Sequence, residues 1–416
     1  MKRALFVLLM SVIIVSGIFA NGSSEKQSTS DGVTTIRYWQ HSSAARDEMM
    51  LKIIDMFEAE YPQYKVEAEF VPESDYNQKL IPALATNTAP DVFQIQQGMV
   101  AKLAEVGSIQ PLDTSIMPTE SIQSDYIASA VDGLKYNGMY YGMPTDTQTI
   151  ILLWNKAHAE AAGLDPENGP QTWDEFFDWA HKMTIKDEQG NLVQSGWGGK
   201  GYWCEVAAFV IQHGGRMNDE NGDFVFADDP VSVEAIKKYV SFYKEGNYNE
   251  AFTANWAGFR QGLVSMMLGH PAMIGNLVTT APDLDYNVAL IPAYEDRHTT
   301  CVSSWAYVMS SRADSEAATT FIKFLSSEEV ERMWTEETGQ LPVSNSLVAD
   351  ESLKSDPKIA VAIESLNDSF VGTLQTGAMN TIWSDGFERI CNTDENIEDV
   401  LHEIQDSLNE ELHAEL

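Results

Sequence analysis

Strand-like and helix-like patterns alternate between residues 33 and 97, and this alternation constrains the fold more than any other feature. The strand patterns TTIRYW, KVEAEFV and VFQI are separated by segments whose apolar residues recur at helical spacing, as Met50, Ile53 and Phe57 do. Parallel strands need such crossover helices, so the pattern predicts an α/β fold with a parallel sheet. A second set of strand and helix patterns begins with a strand at TIILLWN, continues through a helix opened by Thr172, and returns to a strand at MIGNL (273–277).

Length and charge narrow the class of protein. The chain has 416 residues. This is too long for a single hydrophobic core, so two domains are expected. Its formal net charge is -36, and such an acidic chain repels phosphate backbones. Nucleic acid is therefore not expected as a partner.

The N-terminal segment predicts export. Residues 1–20 have a basic start, an apolar run and small residues near Ala20, which is the layout of a cleaved signal peptide. A membrane anchor is the alternative, but the apolar run is shorter than the roughly 20 residues that a bilayer needs. Residues 21–32 are polar and are expected to form a flexible leader. No cysteine lies near Ala20 to carry a lipid, so a periplasmic protein is expected.

Cysteine spacing and short motifs give little support to catalysis or to metal binding. Cys204, Cys301 and Cys391 are far apart, allow at most one disulfide, and are expected to be buried free thiols. The stretch DENGDFVF (219–226) superficially resembles a calcium loop, but Phe224 stands where that loop needs glycine, which favours a hairpin. HExxH, GxSxG and a phosphate loop are all missing from the sequence. No cofactor is expected.

A series of segments in a fixed order resembles one known family. In chain order, the segments are TTIRYW, FEAEYPQYKV, YNQKLIPALATNTAPDVF, YNGMYYGMP, LLWNKAHAEAAGL, TWDEFFDWA, YNVALIPAYE, FIKFLSSEEV and TGQLPV. They are similar to segments of the extracellular solute-binding proteins of carbohydrate ABC transporters. The resemblance covers nearly all of residues 33–345 and includes the maltose-binding group. It implies a periplasmic, monomeric binding protein that closes on a sugar or oligosaccharide and delivers it to permease subunits.

The resemblance also implies a division into two α/β lobes joined by a multi-strand hinge. The N-terminal lobe is expected to hold residues 33–140 and 284–337, and the C-terminal lobe residues 143–281 and 340–416. Hinge crossings are then expected near Tyr141, Pro282 and Gly339, beside residues that tolerate changes of backbone angle.

Candidate ligand contacts follow from the strand ends and from the family. Ligands of open α/β sheets lie beyond the carboxyl ends of the strands, which points to Trp39, Gln40, His41, Gln96 and Gln97. A sugar presents C–H faces to aromatic rings and hydroxyl groups to polar side chains. The remaining candidates, chosen for that chemistry, are Asp146, Tyr202, Trp203, Glu205, Trp256, Asn276, Ser303, Trp305, Trp383, Asp385 and Arg389.

Several of these candidates correspond to family positions. Tyr202 and Trp203 stand where the maltose-binding group carries a stacking ring, and Trp383 resembles the aromatic residue supplied late in the chain, with Asp385 and Arg389 beside it as hydroxyl partners. Trp305 resembles the family's small-small-Trp strand entry, although serines replace the commoner glycines. Asn276 lies next to a position where relatives often carry tryptophan and this chain has leucine.

Each candidate has an ordinary alternative, and so does the function. The tryptophans serve equally well as core residues, and the glutamines as solvated loop residues. A secreted glycoside hydrolase with paired carboxylates and a non-transport carbohydrate sensor both remain open, as does a cation-bearing ligand of an acidic cleft. Because binding proteins need no catalytic group, the expectation is a binder and not an enzyme.

Overall fold

The computed structural model describes residues 32–42, 44–199, 201–247, 255–372, 374 and 376–414. The expected signal peptide and nearly all of the expected leader lie outside these residues. In the part of the chain that the structure describes, no helix combines the length and the apolar character needed to cross a membrane.

Strands and helices alternate from β1 to β3, and later parts of the chain also contain runs of consecutive strands or helices. The strands are β1 (Thr34–Ser42), β2 (Tyr64–Pro72), β3 (Val92–Gln96), β4 (Lys135–Tyr136), β5 (Met139–Tyr140), β6 (Gly142–Pro144), β7 (Ile151–Asn155), β8 (Ile185–Lys186), β9 (Leu192–Trp197), β10 (Val264–Gly269), β11 (Tyr286–Leu290), β12 (Thr300–Val302), β13 (Trp305–Met309) and β14 (Ser369–Val371). The helices of the N-terminal half are α1 (Ala44–Glu60), α2 (Glu73–Ala85), α3 (Val100–Glu105), α4 (Thr119–Asp125), α5 (Ala128–Val131), α6 (Lys156–Ala161), α7 (Trp173–Lys182) and α8 (Trp203–Gln212). Those of the C-terminal half are α9 (Pro230–Lys244), α10 (Asn255–Arg260), α11 (Ala272–Thr280), α12 (Ser315–Leu325), α13 (Glu328–Thr338), α14 (Asn345–Val348), α15 (Pro357–Glu364), α16 (Gly377–Asn392) and α17 (Ile397–His413).

The first sheet has the strand order β2-β1-β3-β13-β6. Its strands β2, β1 and β3 run parallel, as the sequence predicts, whereas β13 pairs antiparallel with both β3 and β6. Met50, Ile53 and Phe57 on α1 are buried in the core against this sheet, which confirms the helical face read from the sequence.

The second sheet has the strand order β11-β7-β10-β9-β8. The helix expected after Thr172 is α7, and it begins with a capping box in which the Thr172 hydroxyl accepts from the Glu175 amide. The expectation of a strand at MIGNL (273–277) is wrong. This stretch lies in α11, because Met273, Ile274 and Leu277 are buried at helical spacing. The strand of this region is β10, which precedes that helix.

Two hairpin turns use asparagine and glycine, and the second of them is the one predicted at DENGDFVF. The β4–β5 hairpin turns through Asn137 and Gly138, which both have positive φ angles. Around DENGDFVF, Asn218 and Phe224 form an antiparallel bridge, and the Asp219 carboxylate accepts from backbone amides within the turn. That carboxylate therefore stabilises the turn.

The chain passes between the first and the second sheet along segments that lie next to one another. Thr147 bridges to Leu341 and Gln148 bridges to Ser303, so the segments after β6, before β13 and after α13 lie side by side. The chain leaves the first sheet after β6, which is later than the crossing expected near Tyr141, and it leaves the second sheet after β11, which is later than the one expected near Pro282. The strand β11 pairs with β7 of the second sheet, whereas the expected range 284–337 assigned it to the first lobe.

Candidate functional site

A cavity of about 500 Å³ lies between the two sheets and receives side chains from both. Its first wall, on the side of the first sheet, consists of Gln96 at the end of β3 and Ser303 in the adjacent crossing segment. Its second wall, on the side of the second sheet, consists of Ile150, Tyr202, Trp203, Cys204, Glu205, Trp256, Leu268, Gly269, His270, Leu374 and Asn380. Six of the sequence candidates therefore meet at one cavity.

Gln96 offers the first wall a buried polar atom that has no partner among the described residues. Its side-chain Oε1 is buried and accepts no hydrogen bond from any of the residues that the structure describes. A buried acceptor left unpaired costs about 1–3 kcal/mol. A ligand hydroxyl that donates to this oxygen would remove that cost.

The neighbouring polar candidates of the first sheet are held by their own lobe. Gln40 is fully buried and accepts from the Tyr38 hydroxyl over 3.0 Å. Gln97 is also buried, and its Nε2 donates to the Ala130 carbonyl over 3.0 Å. Neither glutamine lines the cavity. Their position at strand ends is as expected, but their side chains point into the interior of the lobe.

An aromatic group stands behind the first wall. The rings of His41 and Trp305 stack at 4.1 Å, and Trp305 pairs in register with Gln96 across the sheet. Burial first, and then the Arg46 guanidinium, lower the pKa of His41 to about 3, so the imidazole is neutral at ordinary pH. Trp39 lies apart from the cavity lining, with the Lys79 ammonium over its ring at 4.0 Å.

The start of α8 provides the aromatic part of the second wall. Tyr202, directly before the helix, is 51% exposed, whereas Trp203 is 5% exposed and donates from Nε1 to the Gly372 carbonyl over 2.6 Å. Trp256 on α10 is half-buried and lines the same cavity. These rings give the cavity apolar faces of the kind that a sugar ring packs against.

Glu205 and His270 add polar groups that are uncharged or mostly uncharged near neutrality. Burial raises the pKa of Glu205 to about 8, while the Tyr239 hydroxyl donates to its carboxyl group over 3.0 Å. Burial likewise lowers the pKa of His270. Its Nδ1 lies 3.0 Å from the Thr149 carbonyl, which makes Nδ1 the protonated nitrogen and leaves Nε2 as an acceptor.

Sequence reasoning missed His270, although a usable signal was present. The strand pattern of β10 ends in Leu268-Gly269-His270 before a proline, just as β1 ends in polar residues before a helix. The error at MIGNL hid this strand end, because it placed the strand one element too late.

Five further candidates also lie outside the cavity lining. Asp146 is buried in the first crossing segment, where it accepts from Gln148 Nε2 over 3.1 Å. Asn276 accepts from Arg260 and from the Thr280 hydroxyl on the surface of α11. Asp385 is exposed on α16, and the remaining two, Trp383 and Arg389, lie on the same helix.

Trp383 and Arg389 have structural partners in the second lobe. The Trp383 indole is 2% exposed, donates to the Gly201 carbonyl over 2.8 Å and packs edge-on against Trp203 at 4.9 Å. It lines a neighbouring cavity of about 360 Å³ that shares Tyr202, Trp203 and Asn380 with the first. Arg389 pairs with Glu395 at 2.6 Å and with Glu403 at 2.8 Å.

Two α/β halves with a cavity between them, lined from both sides, define the binding-protein class of fold. The sequence profile of the family described as bacterial extracellular solute-binding protein matches residues 52–361. The chain belongs to this family.

Relatives of known name and solved structures agree with this assignment. The sn-glycerol-3-phosphate-binding periplasmic protein UgpB of Escherichia coli K12 is 24% identical over 335 residues, which cover 75% of each chain. An ABC transporter solute-binding protein of Thermotoga lettingae, solved with α-D-tagatose, is 25% identical with a TM-score of 0.75, over 90% of this chain and 99% of that one. UgpB of Mycobacterium tuberculosis, solved with glycerophosphocholine, is 22% identical with a TM-score of 0.78, over 92% and 99%.

These findings confirm the fold and the general function predicted from the sequence. The chain is a two-lobed α/β solute-binding component of an ABC importer, and it belongs with binding proteins and not with enzymes. The hydrolase and sensor alternatives find no support among these relatives. The family works outside the cytoplasmic membrane with ABC permeases.

Proposed function

We propose that the chain binds a neutral sugar or oligosaccharide in the cavity between its lobes and delivers it to a permease after closure. The observation that carries this proposal is a single cavity in which aromatic rings from one half face an unpaired amide oxygen from the other. Tyr202 and Trp256 supply the rings, and Gln96 supplies the oxygen. A ligand that contacts both walls favours the closed state, whereas one that contacts a single wall does not.

The charge of the cavity favours a neutral ligand. None of the described residues that line it is a lysine or an arginine. A phosphate group is normally bound by such cations, often by bidentate arginine. A phosphate ester is still the competing ligand class, because the curated relative from E. coli binds sn-glycerol 3-phosphate.

Ligand screening on the mature chain separates these classes. We expect a saturable rise in melting temperature with an intact sugar, and none with sn-glycerol 3-phosphate or glycerophosphocholine. Stabilisation by the phosphate compounds alone would overturn the proposal. Release of a cleaved product from an oligosaccharide would revive the hydrolase.

A ring substitution tests the site itself. Trp256→Ala removes a half-buried indole from the second wall, and we expect the Kd for the best sugar to rise about 30-fold, equivalent to about 2 kcal/mol. Tyr294→Ala is the matched control, because Tyr294 is an exposed ring outside the cavity lining. Equal loss of affinity in both variants would contradict the proposed site.

Export, processing and oligomeric state belong to the same proposal. The layout of residues 1–20 supports cleavage near Ala20 and release into the periplasm. The monomeric state is proposed from the resemblance to the family. N-terminal sequencing of the exported protein and light scattering of the purified chain test both points. A retained N-terminus or a stable dimer would contradict them.

A further inference from the structure

Two of the three cysteines meet beside the cavity. Cys204 is the second residue of α8 and lines the cavity, while Cys301 lies fully buried in the middle of β12. Their Sγ atoms are 2.7 Å apart. They are 97 positions apart in the sequence, so only the fold brings them together.

The surroundings of the two sulfur atoms are fixed by other contacts. The Gly372 carbonyl lies 3.7 Å from Cys204 Sγ and 3.3 Å from Cys301 Sγ, and it also accepts from the Trp203 indole. The strand β12 that carries Cys301 pairs with β14, which ends just before Gly372. The two thiols are therefore held face to face by packed elements.

We propose that Cys204 and Cys301 form a disulfide bond in the exported protein. This replaces the expectation of three free thiols. Disulfides form and persist outside the cytoplasm, and the family to which the chain belongs is extracellular. The proposal rests on export and on this geometry, and it does not depend on which ligand the cavity binds.

The bond forms by thiol–disulfide exchange with a disulfide oxidant, such as an oxidoreductase or oxidised glutathione. Cys204, the more exposed of the pair, attacks one sulfur of the oxidant as a thiolate and releases the other as a thiol. Cys301 then loses its proton and attacks Cys204 Sγ, which releases the second thiol. Two protein thiols are thereby oxidised and the oxidant's disulfide is reduced to two thiols.

The position of the bond links it to the cleft. It would join the first turn of α8, which carries Trp203 and Glu205, to the strand that leads into Ser303. One end of the second wall would then be fixed to the segment by which the chain crosses between the lobes. The cross-link therefore restrains the unfolded chain and also holds this part of the cavity.

Counting thiols in the whole exported protein tests the proposal. The protein is purified without reductant, incubated with oxidised glutathione, unfolded and alkylated. We expect one alkyl group, on Cys391, and a peptide that joins Cys204 to Cys301; after reduction we expect three alkyl groups. Three alkyl groups without reduction would overturn the proposal.

Melting curves give an independent readout. Reductant should lower the melting temperature of the wild type and of Cys391→Ser by roughly 5 °C. It should leave Cys204→Ser and Cys301→Ser unchanged, because these variants have no bond to lose. A reductant effect of equal size in Cys204→Ser would also overturn the proposal, and the thiol count remains decisive where a variant fails to fold.

Discussion

The two walls of the cavity differ in how far their polar groups are already satisfied by the protein. Beside the first wall, Gln40 and Gln97 bond within their own lobe, and Gln96 alone of these three glutamines lines the cavity. The second wall instead presents Tyr202 and Trp256 as partly exposed rings. Under the proposed function, the rings of the second wall would hold the ligand and the Gln96 amide would add a contact to it on closure.

The largest expected effect is a loss of unfolding free energy when Trp203, in the second wall, is substituted. Trp203 belongs to both the cavity and the core, since it packs on Trp383 and donates to Gly372. Trp203→Ala should therefore lower the free energy of unfolding by about 3–5 kcal/mol, measured by urea denaturation. Trp39→Ala, a half-buried ring outside the cavity, should cost clearly less. Equal losses would mean that Trp203 is not a core residue.

Glu205 makes the stability of the second wall depend on pH. Its pKa is raised from 4.5 to about 8 in the folded protein, so between these values the folded state binds more protons than the unfolded state. Stability then falls as pH rises from 4.5 to 8, at about 1.4 kcal/mol for each unit of pKa difference. Glu205→Gln should flatten this slope, as followed by melting temperature against pH.

Glu331 provides the matched control for this substitution. It is buried on α13, away from the cavity, and burial raises its pKa to about 7. Glu331→Gln should also flatten the slope, but it should leave ligand affinity unchanged. Glu205→Gln should change both quantities. Unchanged affinity in both variants would remove Glu205 from the ligand site.

His41 behaves in the opposite sense behind the first wall. Its pKa is lowered from 6.5 to about 3, so the unfolded state binds the extra proton as pH falls below 6.5. The stability present above pH 6.5 is lost progressively toward pH 3. His41→Asn should reduce the difference in unfolding free energy between pH 7 and pH 4, measured by denaturant titration. An unaltered difference would mean that His41 is accessible to protons in the folded protein.

Much of the fold was predictable because it depends on local patterns. The buried face of α1, the capping box of α7 and the strand β3 all follow from residue spacing. The error at residues 273–277 arose where a short apolar run fits either a strand or a helix. Site residues were harder to predict, because an apolar or amide side chain at the end of a strand can lie either toward the cavity or toward the interior of the lobe. Spacing placed Gln96 and Gln97 together, but only packing decides that one lines the cavity and the other does not.

Gln96→Ala provides a smaller and more specific test of closure. It removes the unpaired oxygen of the first wall, and we expect a sugar to bind about 5–10-fold more weakly, equivalent to about 1 kcal/mol. Gln97→Ala is its matched control, because Gln97 is an adjacent glutamine that bonds to Ala130. Calorimetric titration should show lost affinity in the first variant only. The reverse order would reassign the first wall to Gln97.

The smallest expected effect is at Arg389, which the sequence proposed as a hydroxyl partner for the ligand. Its guanidinium is partly exposed and pairs with Glu395 and Glu403, so it is already held by carboxylates on the surface of the second lobe. Exposed ion pairs contribute about 0–1 kcal/mol to stability. Arg389→Ala should therefore lower the unfolding free energy by less than about 1 kcal/mol and leave calorimetric affinity for the sugar unchanged. A weakened affinity would extend the second wall from Asn380, at the start of α16, along that helix to Arg389.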